Sequence, residues 1–160
     1  MEAGKVGARL TEKTVAENRR ARHDYFIEEV IEAGLVLTGT EVKSLRAGRA
    51  NLQDAYAAIQ DGEAWLYNCH ISPYAPGNRY NVDPYRVRKL LLHRGELDGL
   101  FGKVRQKGYT LVPLRLFFNA KGKAKVAIGL GKGKKLYDKR EAMAERDAQR
   151  EMERVARGKS

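Results

Sequence analysis

Cysteine, histidine and clustered carboxylates are the side chains from which a metal site or a nucleophilic pair would be built, and here they are few and scattered. His23, His70 and His93 lie far apart, and Cys69, the one cysteine, is adjacent to His70. Neighbouring residues of a strand point to opposite faces, so Cys69 and His70 make neither a metal pair nor a Cys–His catalytic couple. A single cysteine also excludes an intramolecular disulfide framework, which suits a reducing compartment; the expected location is cytoplasmic. Gly129-Leu-Gly131-Lys-Gly133-Lys lacks the third glycine of a dinucleotide fingerprint. Gly158-Lys159-Ser160 has Glu153 where a phosphate loop needs glycine. Glu28, Glu29, Glu32 and Glu41 form no clustered metal-binding carboxylate motif of the kind a nuclease uses. No catalytic residue, metal ligand or cofactor is assigned, and the chain does not read as an enzyme.

What remains is the chemistry of cations. The 160 residues carry 31 Lys and Arg against 20 Asp and Glu, a formal charge of +11. The excess is local: residues 84 to 140 hold 16 Lys or Arg and only three acids, Glu96, Asp98 and Asp138, while the rest of the chain nets −2. A field concentrated in one region suits phosphate backbones, whose neutralisation releases counterions. An anionic membrane surface would call for a basic amphipathic helix with bulky apolar residues opposite, and no segment has that pattern. No apolar run approaches the length that spans a bilayer, and residues 1–18 contain no apolar stretch of signal-peptide length. The alternative for the charge is a generally basic, solvated surface.

The elements that must position these cations are short. Residues 1–17 read as a flexible polar arm. Tyr25-Phe-Ile-Glu-Glu-Val-Ile-Glu and Leu35-Val-Leu37 predict two strand segments joined by a bend at Gly34. Thr38 or Thr40 caps a short helix over Glu41–Ala47, stopped by Gly48. Leu52–Gln60 and Glu63–Asn68 flank Asp61-Gly62, a pair that tolerates the positive φ of a two-residue hairpin turn. Pro73, Pro76-Gly77 and Asp83-Pro84 mark a long irregular loop, followed by a strand over Arg86–Leu92. Leu97, Leu100, Phe101 and Val104 lie on one face of a helix spanning Glu96–Gln106, with Gly108 as its stop. Tyr109–Asn119 and Lys123–Gly129 make a second hairpin in which Pro113 demands an edge or a bulge. About six short strands with two helices between them favour a closed antiparallel barrel, although periodicity alone leaves a sandwich open.

Beyond Gly129 the composition changes. Gly131-Lys-Gly133-Lys-Lys reads as a flexible basic linker. Tyr137–Arg157 is rich in helix formers but poor in bulky apolar residues. Arg146, Arg150, Arg154 and Arg157 recur at helical spacing and share one side of a helix. A polar helix without a partner is marginal in water, so the segment is expected to be disordered when free and helical on a phosphate-lined surface; a merely solubilising tail is the alternative.

Four blocks, Asn18-Arg-Arg-Ala-Arg-His-Asp-Tyr-Phe-Ile, Gly39-Thr-Glu-Val-Lys-Ser-Leu-Arg-Ala-Gly, Asp83-Pro-Tyr-Arg-Val-Arg-Lys-Leu-Leu-Leu-His and Lys132-Gly-Lys-Lys-Leu-Tyr-Asp-Lys-Arg, occur in order. Together they resemble the signature blocks of the SmpB family, the SsrA-binding proteins that partner transfer-messenger RNA (tmRNA), over residues 18 to 140. The resemblance implies a mainly β fold, an OB-like closed antiparallel barrel with two or three short helices over residues 18–131, and a basic C-terminal tail over 132–160. It implies binding to the tRNA-like domain of tmRNA and a role in trans-translation and ribosome rescue. The tail would enter the decoding centre and the empty mRNA channel of the small subunit, contacting its rRNA. Alanyl-tRNA synthetase and elongation factor Tu, which act on the same RNA, would be indirect associates.

Carried residue by residue, Glu32, Leu91 and Lys125 match family positions that support RNA binding, and Asp138, Lys139 and Arg140 match the tail motif needed on the ribosome. Tyr137 stands where family members carry a ring able to stack on a base. The cations Arg19, Arg20, Arg22, Lys43, Arg46, Arg88, Lys89, Lys132, Lys134 and Lys135 within the blocks, with Lys121 and Lys123 beside Lys125, are the candidate phosphate contacts. Glu32 could instead form an ion pair with Arg20 or Arg22, and Leu91 could be ordinary core. Gly131 stands where the family more often has Ala. A monomer is expected, and a general single-stranded RNA-binding barrel is the rival function.

Overall fold

The computed structural model describes residues 12–74, 81–106 and 108–158, and the side chains of all of these except 135–142. Its strands are β1 (Lys13–Glu17), β2 (Tyr25–Leu35), β3 (Ala50–Asn51), β4 (Tyr56–Gln60), β5 (Glu63–Tyr67), β6 (His70–Ile71), β7 (Arg88–Leu91), β8 (Tyr109–Phe118) and β9 (Ala124–Gly133). Six of them form a ring in the order β8-β4-β5-β7-β2-β9, closed by the β8–β9 pairing. Closure leaves no edge within the ring, the outcome that several short strands favour. β8 has two partners on its other side: its first half meets β4 at Leu111, and residues 115–118 meet β1. β3 and β6 pair separately. Leu45, Leu52, Leu66, Leu116 and Val126 fill the interior with at most 1% of their surface exposed. Among the described residues no helix is long and apolar enough to cross a membrane.

Local chemistry explains the turns. Asp61 and Gly62 have φ of 53° and 73°, joining β4 to β5 with Gln60 opposite Glu63. Asn119 shapes the β8–β9 turn, its Oδ1 accepting from the backbone N–H groups of Lys121 and Lys123 at 3.0 and 2.9 Å. Pro113 sits at a register shift between itself and Arg115, the bulge its missing N–H demands. The helices are α1 (Ala21–Asp24), α2 (Gly39–Arg46), α3 (Arg94–Val104) and α4 (Lys134–Gly158). Thr38 and Glu41 form a reciprocal capping box on α2.

Several expectations give way. β2 is one strand of 11 residues instead of two segments, because Gly34 pairs with both Leu91 and Lys125 and is held straight between neighbours. Residues 13–17, expected as the end of an arm, are β1; residues 1–11 lie outside the described residues. Gly131, expected in a linker, is buried in β9 between Ile27 and Thr110, and a Cβ there would lie 3.0 Å from the Phe26 carbonyl oxygen. Strand β9 therefore passes directly into α4 without a flexible joint. Phe101, expected on the buried face of α3, is 46% exposed with the Arg105 guanidinium over its ring. The segment Tyr137–Arg157 lies in the helix α4, with Arg154 paired to Glu151 one turn back at 2.5 Å and residues 143–158 exposed throughout.

Candidate nucleic-acid interface

Beneath α2 lies a knot of charge. In β7, side chains alternate, so Arg88 and Leu90 face inward while Lys89 and Leu91 face outward. Arg88 is fully buried. Its Nε donates to Glu41 Oε2 at 2.6 Å, one terminal nitrogen to the Cys69 carbonyl at 2.6 Å and the other to the Pro84 carbonyl at 3.0 Å. Arg86 donates to Glu41 Oε1 at 2.6 Å, and the Thr38 backbone N–H donates to the same oxygen at 2.9 Å. Burial by itself would raise the Glu41 pKa, but hydrogen bonds from Arg86, the Thr38 N–H and Arg88 outweigh it and hold the carboxyl below its ordinary value. The knot ties α2 to β7 and to the chain before it. Burial pushes the neighbouring Cys69 thiol up to about 11, against the pull of Arg88, so it remains protonated and unreactive.

Arg88 is therefore removed from the RNA-contacting set: it is fully buried, and each of its three guanidinium nitrogens has a partner inside the fold. It is the organiser of α2, which presents Lys43 and Arg46 on its exposed side. Lys43 Nζ lies 5.7 Å from the centre of the Tyr74 ring, and the Arg46 guanidinium lies 4.8 Å from that of Phe118.

The outer face of β8, β9, β2 and β7 gathers candidates from distant parts of the chain. Directly paired residues share a face, and one row runs Phe117–Lys125–Gly34–Leu91 across four strands. Gly34 contributes no side chain, and Leu91 lies over it: a Cβ at Gly34 would approach Leu91 Cβ to 3.2 Å. Leu91 is 52% exposed, so it is not ordinary core. Together with Leu37, Val42, Lys123 and Lys125 it lines a groove of about 370 Å³ with an apolar floor and two lysines. The adjacent row, Arg115–Ala127–Glu32, opens on a second groove of about 430 Å³ that also holds Arg19 and Arg22. Glu32 is exposed there and forms no ion pair among the described residues, so the alternative reading of a pair with Arg20 or Arg22 is not found. Arg19 and Arg22 in this groove form no ion pair among the described residues and remain available to an anion, with the Glu32 carboxylate as acceptor for base or sugar donors.

The remaining candidates are spread more widely. Arg20 is exposed beside α1; Lys121 is exposed at the β8–β9 turn; Lys89 lies 3.6 Å from Glu63. Lys132 and Lys134 sit over the rings of Tyr109 and Phe26, and Lys134 Nζ donates to the Arg22 carbonyl at 2.9 Å, fastening the start of α4 to α1. Lys135, Tyr137, Asp138, Lys139 and Arg140 fall in the first turns of α4, and their side chains lie outside the described residues. Arg146, Arg150, Arg154 and Arg157 share one side of that helix. Sequence reasoning missed Arg115, which lines the Glu32 groove while bonded to Thr14 Oγ1 at 3.0 Å and stacked on Phe117 at 4.0 Å. The Arg-Val-Arg alternation before Lys89 was the available signal for Arg88, since every second residue of a strand in this ring must face inward.

A closed OB-like barrel bearing two cation-lined outer grooves and a basic terminal helix defines a β-barrel of the RNA-binding class. Residues 15–158 match the family model described as SmpB protein. A curated SsrA-binding protein of Symbiobacterium thermophilum is 64% identical over 145 residues, 91% of this chain and 92% of that protein. One from Desulforudis audaxviator is 61% identical over 153 residues, covering 96% and 99%. A chain of the solved structure described as "tmRNA-SmpB: a journey to the center of the bacterial ribosome" is 59% identical, with a TM-score of 0.62 over 74% of this chain and 82% of that one. The chain belongs to the SmpB family.

Proposed function

We propose that this chain binds tmRNA and acts with it on the bacterial ribosome in trans-translation. The observation that carries the assignment of a surface is the Leu91–Lys123–Lys125 groove, which joins an apolar floor to two ammonium groups. Lysines hold phosphate, and the leucine packs on an unstacked base or a sugar. The barrel, residues 18–131, grips the tRNA-like domain of the RNA through this groove and its Glu32 neighbour. The tail, residues 132–160, lays the side of α4 that carries Arg146, Arg150, Arg154 and Arg157 along small-subunit rRNA at the decoding centre and in the empty mRNA channel. Tyr137, Asp138, Lys139 and Arg140 act at its start. The protein works as a monomeric, cytoplasmic, non-enzymatic adaptor, with alanyl-tRNA synthetase and elongation factor Tu acting on the same RNA.

Purification from the native host at moderate salt, followed by sequencing of the accompanying RNA, tests the partner. One dominant tmRNA species is expected; a broad mixture of RNAs would favour a general single-strand binder. Truncation after Gly133 tests the division of labour: RNA affinity should stay within about twofold, a difference of less than 0.5 kcal/mol, while tagging of stalled chains is abolished.

A further inference from the structure

Across the ring from β2 and β9, the outward side of β4 and β5 carries a different chemistry. Tyr56 stands opposite Tyr67, and Trp65 stands between Ala58 and Lys89. The intervening Ala57, Ala64 and Leu66 are buried in the core, so the three rings face outward. The Tyr56 and Tyr67 rings are stacked, with centroids 5.0 Å apart and planes 9° from parallel. The Tyr67 hydroxyl donates to Gln60 Oε1 at 2.8 Å and the Trp65 indole N–H to the Gln60 carbonyl at 3.4 Å. Tyr56 is nevertheless 47% exposed. The rings are held in place before a partner arrives, so docking on them costs little side-chain entropy.

Charge selects the partner. Lys89 is occupied by Glu63. Asp61, at the hairpin turn, and Asp54, which lines a groove together with Tyr56, have no ion pair among the described residues. A phosphate backbone laid over these rings would meet the unpaired carboxylates of Asp54 and Asp61 and no free cation from β4, β5 or β7; Arg20, which shares the groove of Asp54, comes from the segment before α1. Guanidinium and ammonium groups would meet ring faces with carboxylates around them.

We propose that the outward face of β4 and β5 docks an extended Lys- and Arg-bearing segment of a partner protein, seated over Tyr56, Tyr67 and Trp65 and neutralised by Asp54 and Asp61. The site is separate from the RNA grooves, so one molecule can engage both partners together, and its success or failure is independent of the RNA reading.

Trp65 is the only tryptophan in the chain, so its fluorescence reports on this face alone. The full chain is titrated with a ten-residue peptide alternating Arg and Thr, with its Glu counterpart, and with a ten-nucleotide oligouridylate. The Arg peptide should give a saturable change that the Glu peptide does not. Tyr56→Ala should weaken it at least tenfold. The milder pair Asp54→Asn with Asp61→Asn, which keeps a residue tolerant of positive φ at the turn, should weaken it at least fivefold. The proposal is overturned by no saturable response to the Arg peptide, or by unchanged affinity in the Asp54→Asn, Asp61→Asn variant. A response to oligouridylate that persists when Lys121, Lys123 and Lys125 are all replaced by Ala overturns it too, making the face an RNA platform.

Discussion

Arg88 and Leu91 stand three residues apart on β7, yet they belong to opposite kinds of environment. The arginine, which carries the charge suited to RNA, is sealed in the core, whereas the leucine, which carries the side chain suited to a core, lies half exposed over Gly34 beside Lys125. Strand alternation and not residue type decides which is structural and which faces a ligand. The buried knot spends its charge on rigidity, holding α2 so that Lys43 and Arg46 stay on the surface. The open face keeps its lysines unspent: no ion pair involves Lys121, Lys123 or Lys125 among the described residues.

Breaking the knot should give the largest effect. Arg88→Ala leaves Glu41 with only Arg86 and the Thr38 N–H and strips the Cys69 and Pro84 carbonyls of their buried donor, so it should destabilise the fold by about 3–5 kcal/mol in urea unfolding. Glu41→Gln together with Arg88→Met should lose less than the Arg88 change alone. A loss below about 1 kcal/mol for Arg88→Ala would mean that water relieves the site and that the contrast between the two regions is weaker than the burial implies.

The same knot has a pH signature. The folded Glu41 pKa lies below its ordinary 4.5. Its contribution is therefore complete above the unfolded value and is lost as pH falls through the folded one. The parent protein should exceed Glu41→Gln in stability by a constant margin above about pH 4.5, and that margin should shrink as the pH falls below it. A difference that persisted unchanged down to pH 2 would show that the carboxylate is not the titrating group.

On the open face, replacing Lys121, Lys123 and Lys125 together by Ala should leave folding stability within about 0.5 kcal/mol per site. The log–log salt dependence of RNA binding should flatten by about 0.9 unit per lost phosphate contact. An unchanged slope would move the phosphate track to the Arg19–Arg22 groove. The smallest effect belongs to Leu91→Ala, which should weaken RNA binding by about 1 kcal/mol with no change of slope, since an apolar contact releases no counterions. A changed slope would mean that Leu91 acts by holding Lys125 and not by touching RNA.

Much of this molecule was legible in order along the chain. Asp61-Gly62, the Thr38 cap, Gly48 and the Pro113 bulge are local chemistry, and each is where its side chain or φ requirement puts it. Tertiary pairing decided the rest. Gly34 reads as a bend until Leu91 and Lys125 flank it. Gly131 reads as a linker until Ile27 and Thr110 pair with it, and Phe101 reads as core until the ring leaves its side of α3 uncovered. In each case a local preference of a few tenths of a kcal/mol is overruled by pairing or packing along a whole strand.

The residues alone determined that the chain is a basic, cysteine-poor β protein with a charged helical tail, because composition, turn chemistry and alternation act over a few neighbours. The family blocks, too, were visible in order. Only the folded ring decided that Arg88 is a strut and Arg115 a groove residue, and that Glu32, Leu91 and Lys125 share one surface. Those facts depend on which strands become neighbours, and contacts between residues 34, 91 and 125 have no counterpart in sequence spacing.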